Sequence, residues 1–172
     1  EKIAAVSSRN HGDARKAVEI LSKSANIAER EGTIITMDLV DKAMEDIERD
    51  KYVAMIKNSP KQLQATLFSI ISSSLKSNRP LYTGEAYGTY RAFCAKIKMR
   101  ALSQRAFSDL ISELDMYGFL QARVLSKGRY GRTKQIIVNL PRTISDKLKQ
   151  VVLMEFDLNP VSSQFLFKEL AV

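Results

Sequence analysis

Apolar positions along the chain fall into helical stripes, interrupted late in the sequence by two runs of another period. Ala14, Ala17, Val18, Leu21, Ala25 and Ala28 recur at three- and four-residue spacing, which predicts a helix that buries these side chains. Asp13 stands where its N-cap belongs and Gly32 where such a helix ends. The residues before it, KIAAVSSRNHG, start without a cap and read as the end of a further helix, so the chain is expected to continue a larger protein. Thr36 caps a second helix over about Met37 to Asp50, with Val40, Ala43, Met44 and Ile47 inward. Lys51 to Asn58 reads as a connection. Ser59 as N-cap, Pro60 in the first turn and Gln62 in a capping box then open a helix striped by Leu63, Leu67, Ile70, Ile71 and Leu75.

Thr83 caps the next helix, which turns Tyr87, Tyr90, Phe93, Cys94 and Ile97 inward. After the break KMRAL, Ser103 caps a third helix that Gly118 stops. At about 100° per residue, Phe107, Leu110, Ile111 and Leu114 share its core side. Arg105, Ser108, Asp109 and Ser112 lie opposite, with Gln104 at the edge. The period then changes. FLQARVL and TKQIIVNL, rich in β-branched residues, flank SKGRYGR and predict a β-hairpin. A last helix runs from about Thr143 to Glu155, with Ile144, Leu148, Val151 and Val152 on one side. Three helices followed by a hairpin is the order of a winged helix, so the fold class is mainly α with a small β-hairpin.

Charge sharpens this picture because it is unevenly spread. The net charge is +8, yet residues 1–51 carry 9 basic and 11 acidic side chains, whereas residues 52–172 carry 18 and 8. The basic surplus belongs to the second part, which points to a polyanionic partner there. From Phe119 to Arg142 there are six basic residues and no acid: Arg123, Lys127, Arg129, Arg132, Lys134 and Arg142. Gly128 and Gly131 let the hairpin tip approach a surface, and Tyr130 supplies a ring and a hydroxyl. Lys127, Gly128, Arg129, Tyr130, Gly131, Arg132 and Lys134 are thus the candidate wing contacts to DNA backbone or minor groove. Ser103, Gln104, Arg105, Ser108 and Ser112 are the candidate contacts of the third helix in a major groove. Asp109 lies on the same arc and opposes phosphate there.

Other chemistry is poorly served. Cys94 is the single cysteine, so no intrachain disulfide forms and a reducing, cytoplasmic setting follows. One histidine, His11, makes no zinc site. No GxxxxGK[ST] loop is present for ATP hydrolysis, no leader is legible, and no apolar run suits a membrane.

Two segments carry a resemblance. GDARKAVEILSKSANIAEREG resembles the lid of initiator-type AAA+ ATPases. TGEAYGTYRAFC, continued by LSQRAFSDLISELDMYGFLQARVLSKGRYGRTKQI, resembles the winged helix of the archaeal origin-recognition initiators, relatives of the Orc and Cdc proteins. The resemblance spans about residues 1–155 and implies a helical lid over 1–53, a linker over 54–59 and a DNA-binding winged helix over 60–155. The tail from 156 to 172 matches nothing expected of the family. The resemblance further implies double-stranded origin DNA as partner, with the replicative helicase and other initiator subunits beyond it, and a nucleoid-associated location. It implies ATP or ADP with magnesium in a full-length protein and no cofactor in this chain. Arg15, in the GDAR motif, is the implied sensor of nucleotide phosphates. A winged-helix transcription regulator, and a winged helix used for protein contact, are the rival readings.

Overall fold

The computed structural model of the chain describes residue 3 and residues 14–75, 79–126 and 132–158. Among them are α1 (Ala14–Glu31), α2 (Met37–Lys57), α3 (Lys61–Ser74), β1 (Leu81–Tyr82), α4 (Thr83–Lys96), α5 (Gln104–Met116), β2 (Gln121–Ser126), β3 (Arg132–Ile137) and α6 (Arg142–Glu155). The chain divides into two compact units after Tyr52.

In the first unit, Gly32 at φ +64° ends α1, with Thr33 N–H closing on the Ala28 carbonyl at 2.9 Å. Thr36 caps α2 as expected, its hydroxyl accepting from Leu39 N–H at 3.3 Å. The buried face of α1 differs from the expected one. Ile20, Ser24, Ile27 and Ala28 are buried, while Ala14, Val18, Leu21 and Ala25 are exposed. The inward arc is rotated toward the two isoleucines, and only Ala28 belongs to both. Ser24 can occupy it because its hydroxyl donates to the Ile20 carbonyl at 2.7 Å, leaving no unpaired donor. Ile27 and Ala28 pack with Leu39 and Ala43 of α2. At the rim, Lys23 donates to Asp50 at 2.9 Å, which holds the Asp50 carboxyl below the usual range.

Residues 51–57, read as a connection, are instead the last turns of α2. The side chains beyond it explain how it ends. Asn58 Nδ2 donates to Ala54 O at 3.0 Å, Ser59 Oγ to Met55 O at 2.7 Å and Gln64 Nε2 to Ile56 O at 2.9 Å. Ser59 therefore serves the end of α2 and does not cap α3, whose N-cap is Pro60 with no side-chain bond. Gln62 makes no capping box either: its Nε2 donates to Arg100 O at 2.9 Å and its Oε1 accepts from the Tyr90 hydroxyl.

In the second unit α3 is buried on every side from Leu63 to Ser73, packed by α4, α5, α6 and β1. A single stripe was expected, ending at Leu75, which is exposed. Burial all round is eased where Thr66 and Ser69 return their hydroxyls to the carbonyls of Gln62 and Ala65 at 2.8 and 2.7 Å, although the Ser72 hydroxyl and Gln64 Oε1 are buried without a partner. The aromatic core joins three helices. Phe68 stacks on Phe93 at 4.2 Å between ring centroids, and Tyr90 lies 4.8 Å from Phe107. Phe156, the first residue read as tail, meets Phe93 edge-on at 5.7 Å and so completes this core. Cys94 is buried, and burial pushes its thiol up, in keeping with a core role.

The sheet is antiparallel with strand order β1-β3-β2. Val124 faces Lys134 and Ala122 faces Ile136 in the β2–β3 register, and Leu81 pairs with Ile136 from the other side. The hairpin was expected; β1, two residues long, was not. Thr83, expected as an N-cap, is buried and exchanges hydrogen bonds with the Lys134 backbone, accepting from its N–H at 3.0 Å. That clasp fixes α4 to β3 and so sets the distance between the hairpin and α5.

Candidate nucleic-acid interface

The site is built on α5. Phe107, Ile111 and Leu114 are fully buried and pin one side of the helix, with Leu110 half-buried beside them. Ser103 caps it as expected, accepting from Ala106 N–H at 3.3 Å, and Gly118 at φ +80° ends it. The opposite arc is left open: Gln104, Arg105, Asp109 and Ser112 are exposed and Ser108 is half-buried.

A groove runs between this arc and the sheet. It is lined by Gln104, Arg105, Ser108 and Asp109 from α5, by Val124, Arg132, Thr133 and Lys134 from the hairpin, and by Thr83. The structure thus brings together the two groups of residues picked separately from the sequence. Arg132 is exposed at the start of β3. Lys127, Gly128, Arg129, Tyr130 and Gly131, the candidate tip, lie outside the described residues.

Lys134 stands differently from its expected part as an outward wing contact. Its ammonium donates to Ser108 O at 2.6 Å and to the Ser112 hydroxyl, so it braces β3 against α5. Burial lowers its pKa, opposed by the charges of Asp109 and Asp115. Ser112 is committed to the same brace. Thr83 and Val124 are groove residues that the sequence reading missed. For Thr83 the available sign was a threonine directly after an apolar-aromatic pair, Leu81–Tyr82, too short to be read as a strand.

Two tyrosines of α4 hold the segment that leads into α5. Tyr87 donates to Leu102 O at 2.9 Å, and Leu102 N–H donates to the Tyr90 hydroxyl at 3.1 Å. Burial pushes the Tyr90 phenol up to about 12, so it stays a donor at any ordinary pH. α5 is thereby held at a fixed pitch against α4, as a helix that presents side chains to a rigid ligand must be.

Arg15 belongs to the first unit, exposed at a groove between α1 and α2. Arg15, Lys16, Lys23 and Lys51 line that groove together with Glu19, Asp41, Glu45, Glu48 and Asp50. Such a lining offers a nucleotide one guanidinium at the helix start but no phosphate cradle, so these residues alone do not fit a bound nucleotide. Among the described residues no group of His, Cys, Asp and Glu could hold a metal ion, and no helix is long and apolar enough to cross a membrane.

Three helices, a hairpin and the α5 groove define a winged helix, preceded by a small helical unit. The family model described as the CDC6 C-terminal winged helix domain matches residues 54–147, and that of the Cdc6 AAA+ ATPase-type lid domain matches residues 1–45. The chain belongs to this ORC1/Cdc6 family of replication initiators, of which it carries lid and winged-helix parts. It is 43% identical over 159 residues to an ORC1-type DNA replication protein of Pyrococcus furiosus, covering 92% of this chain and 37% of the relative. An ORC1-type DNA replication protein 1 of Sulfolobus acidocaldarius is 43% identical over 142 residues, 82% of this chain and 36% of that one. The chain therefore spans little more than a third of these relatives' length. Among solved structures, the Aeropyrum pernix ORC1 protein in complex with DNA superposes with a TM-score of 0.69 at 33% identity, over 86% of this chain and 39% of that one. Drosophila ORC bound to DNA, at 19% identity and a TM-score of 0.50 over 80% of this chain and 35% of that one, shares the fold.

Proposed function

We propose that this chain binds double-stranded DNA, in the setting of a replication origin, with the outward arc of α5 in the major groove and the β2–β3 hairpin on the backbone or minor groove. The observation that carries this reading is the groove itself: Gln104 and Arg105 at the start of α5 share one concave surface with Arg132. Arginine and glutamine at a helix start are suited to base edges, and an arginine beside them to phosphate. The basic surplus of residues 52–172 supplies the long-range attraction. The DNA complex of the Aeropyrum pernix relative supports the same reading.

In a full-length protein, Arg15 senses the nucleotide phosphates, with ATP or ADP and magnesium held by another part of that protein. The replicative helicase and other initiator subunits are the further partners. Lys127 to Gly131 remain candidate DNA contacts on their sequence alone.

The test separates reading from holding. Arg105→Ala should cut the preference for origin over scrambled duplex by about 1–3 kcal/mol if the side chain meets a guanine edge. Competition binding with both duplexes measures it. Equal loss on both would make Arg105 a phosphate contact and move specificity to DNA shape.

A further inference from the structure

The wing is not the only stretch without acids. Between Glu85 and Asp109 the chain carries Arg91, Lys96, Lys98, Arg100 and Arg105 and no carboxylate. All five are exposed. They occupy the second half of α4, the turn that follows, and the first turn of α5. The turn enters α5 directly, so its charges stand at the N-terminal end of the helix that walls the groove.

The ion pairs of the second unit make the contrast. Lys61 pairs with Glu155, Arg79 with Glu85, and Arg142 and Lys149 with Asp146. Among the described residues no carboxylate pairs with Arg91, Lys98, Arg100 or Arg105. Four cations of this unit thus meet carboxylates, whereas Lys98 and Arg100 of the turn do not.

The turn is also held rigidly. Ile97, Lys98 and Met99 donate their N–H groups to the carbonyls of Phe93, Ala95 and Cys94 at 3.1, 3.2 and 2.9 Å, closing the end of α4. Gln62 holds the Arg100 carbonyl at 2.9 Å from α3, and Leu102 is fixed from both sides by Tyr87 and Tyr90. Lys98 sits at φ +54°, the left-handed position after a helix where glycine is the favoured residue. A lysine there is conformationally costly, and its side chain projects from a backbone that cannot swing away.

We propose that the α4–α5 turn is a second phosphate-gripping surface for duplex DNA, with Lys98 and Arg100 as its contacts, beside the groove and separate from the wing. This rests on the reading that the groove holds duplex DNA. Because the turn is pre-set by six hydrogen bonds, its two cations meet the backbone without ordering a loop, and they grip any sequence alike.

The test is equilibrium binding of the whole chain to random duplex from about 50 to 300 mM salt. Wild type is compared with Lys98→Gly/Arg100→Ser and with Arg132→Ala. The turn variant should bind more weakly, roughly tenfold or more near 100 mM salt, and its log–log salt slope should be shallower by roughly 2, at about 0.9 per phosphate contact. Its melting temperature should not fall, because glycine suits the left-handed position. Lys98→Asn, which also tolerates that backbone, should lose about half the slope change. A turn variant with wild-type slope and affinity, while Arg132→Ala lowers both, would overturn the second surface and leave the groove reading standing. A wild-type chain without salt-dependent duplex binding would overturn both.

Discussion

Replacing Lys134 with methionine keeps the stem that crosses from β3 to α5 and removes the ammonium. In the folded chain that ammonium donates to the Ser108 carbonyl at 2.6 Å and to the Ser112 hydroxyl. A charge-assisted bond contributes about 1.5–3 kcal/mol where water is excluded. This ammonium is only partly buried, so water substitutes for some of each bond, and burying the charge has its own cost, seen in the lowered pKa. A net loss of about 1 kcal/mol follows, which for a unit of this size is about 4 °C in melting temperature. Thermal melts at neutral pH read that shift. Duplex binding by the folded variant should keep its salt slope, because an ammonium held by Ser108 and Ser112 neutralises no phosphate. An unchanged melting temperature together with a slope shallower by about 0.9 would refute the brace and make Lys134 a DNA contact.

Three further outcomes follow from the same structure. Tyr90→Phe leaves Leu102 N–H and Gln62 Oε1 without their partner and should cost about 1–3 kcal/mol in urea unfolding. Lys61, 2.9 Å from Glu155, holds that carboxyl below its usual range, so the pair adds stability above the unfolded carboxyl's pKa of about 4.3 and loses it as pH falls through the lower folded value. The melting-temperature gap between wild type and Glu155→Gln should therefore be present at neutral pH and close as pH falls through the lowered folded value. Arg15→Ala should leave duplex affinity and salt slope of this chain unchanged, measured by titration; a weaker complex would make the first unit part of the DNA surface.

Helix starts and stops with a local chemical cause were legible in the sequence. Ser103, Thr36, Gly32 and Gly118 act where their side chains or backbone freedom predicted. What misled was hydroxyl chemistry. Ser24, Thr66 and Ser69 look polar along the chain, yet each returns its hydroxyl to the preceding turn and is buried as if apolar. That hid the true inward face of α1 and the all-round burial of α3. Ser59 and Gln62 fitted a capping box by spacing, but Ser59 turned back to the Met55 carbonyl one helical turn earlier, and Gln62 went to the Arg100 carbonyl brought close by tertiary folding. The candidate site was legible as residue types and charge. The groove that unites Arg105 with Arg132 was not, because it depends on the Thr83 clasp and the β1–β3 pairing, contacts between segments some fifty residues apart.

The most direct measurement is the salt dependence of duplex binding by the wild-type chain and by Arg132→Ala. For wild type, log affinity should fall steeply and linearly with log salt. Arg132→Ala should bind every duplex more weakly, with a slope shallower by about 0.9, the share of one phosphate contact. Identical affinities and slopes for the two proteins would contradict the assignment of the groove between α5 and the hairpin as the DNA-holding surface.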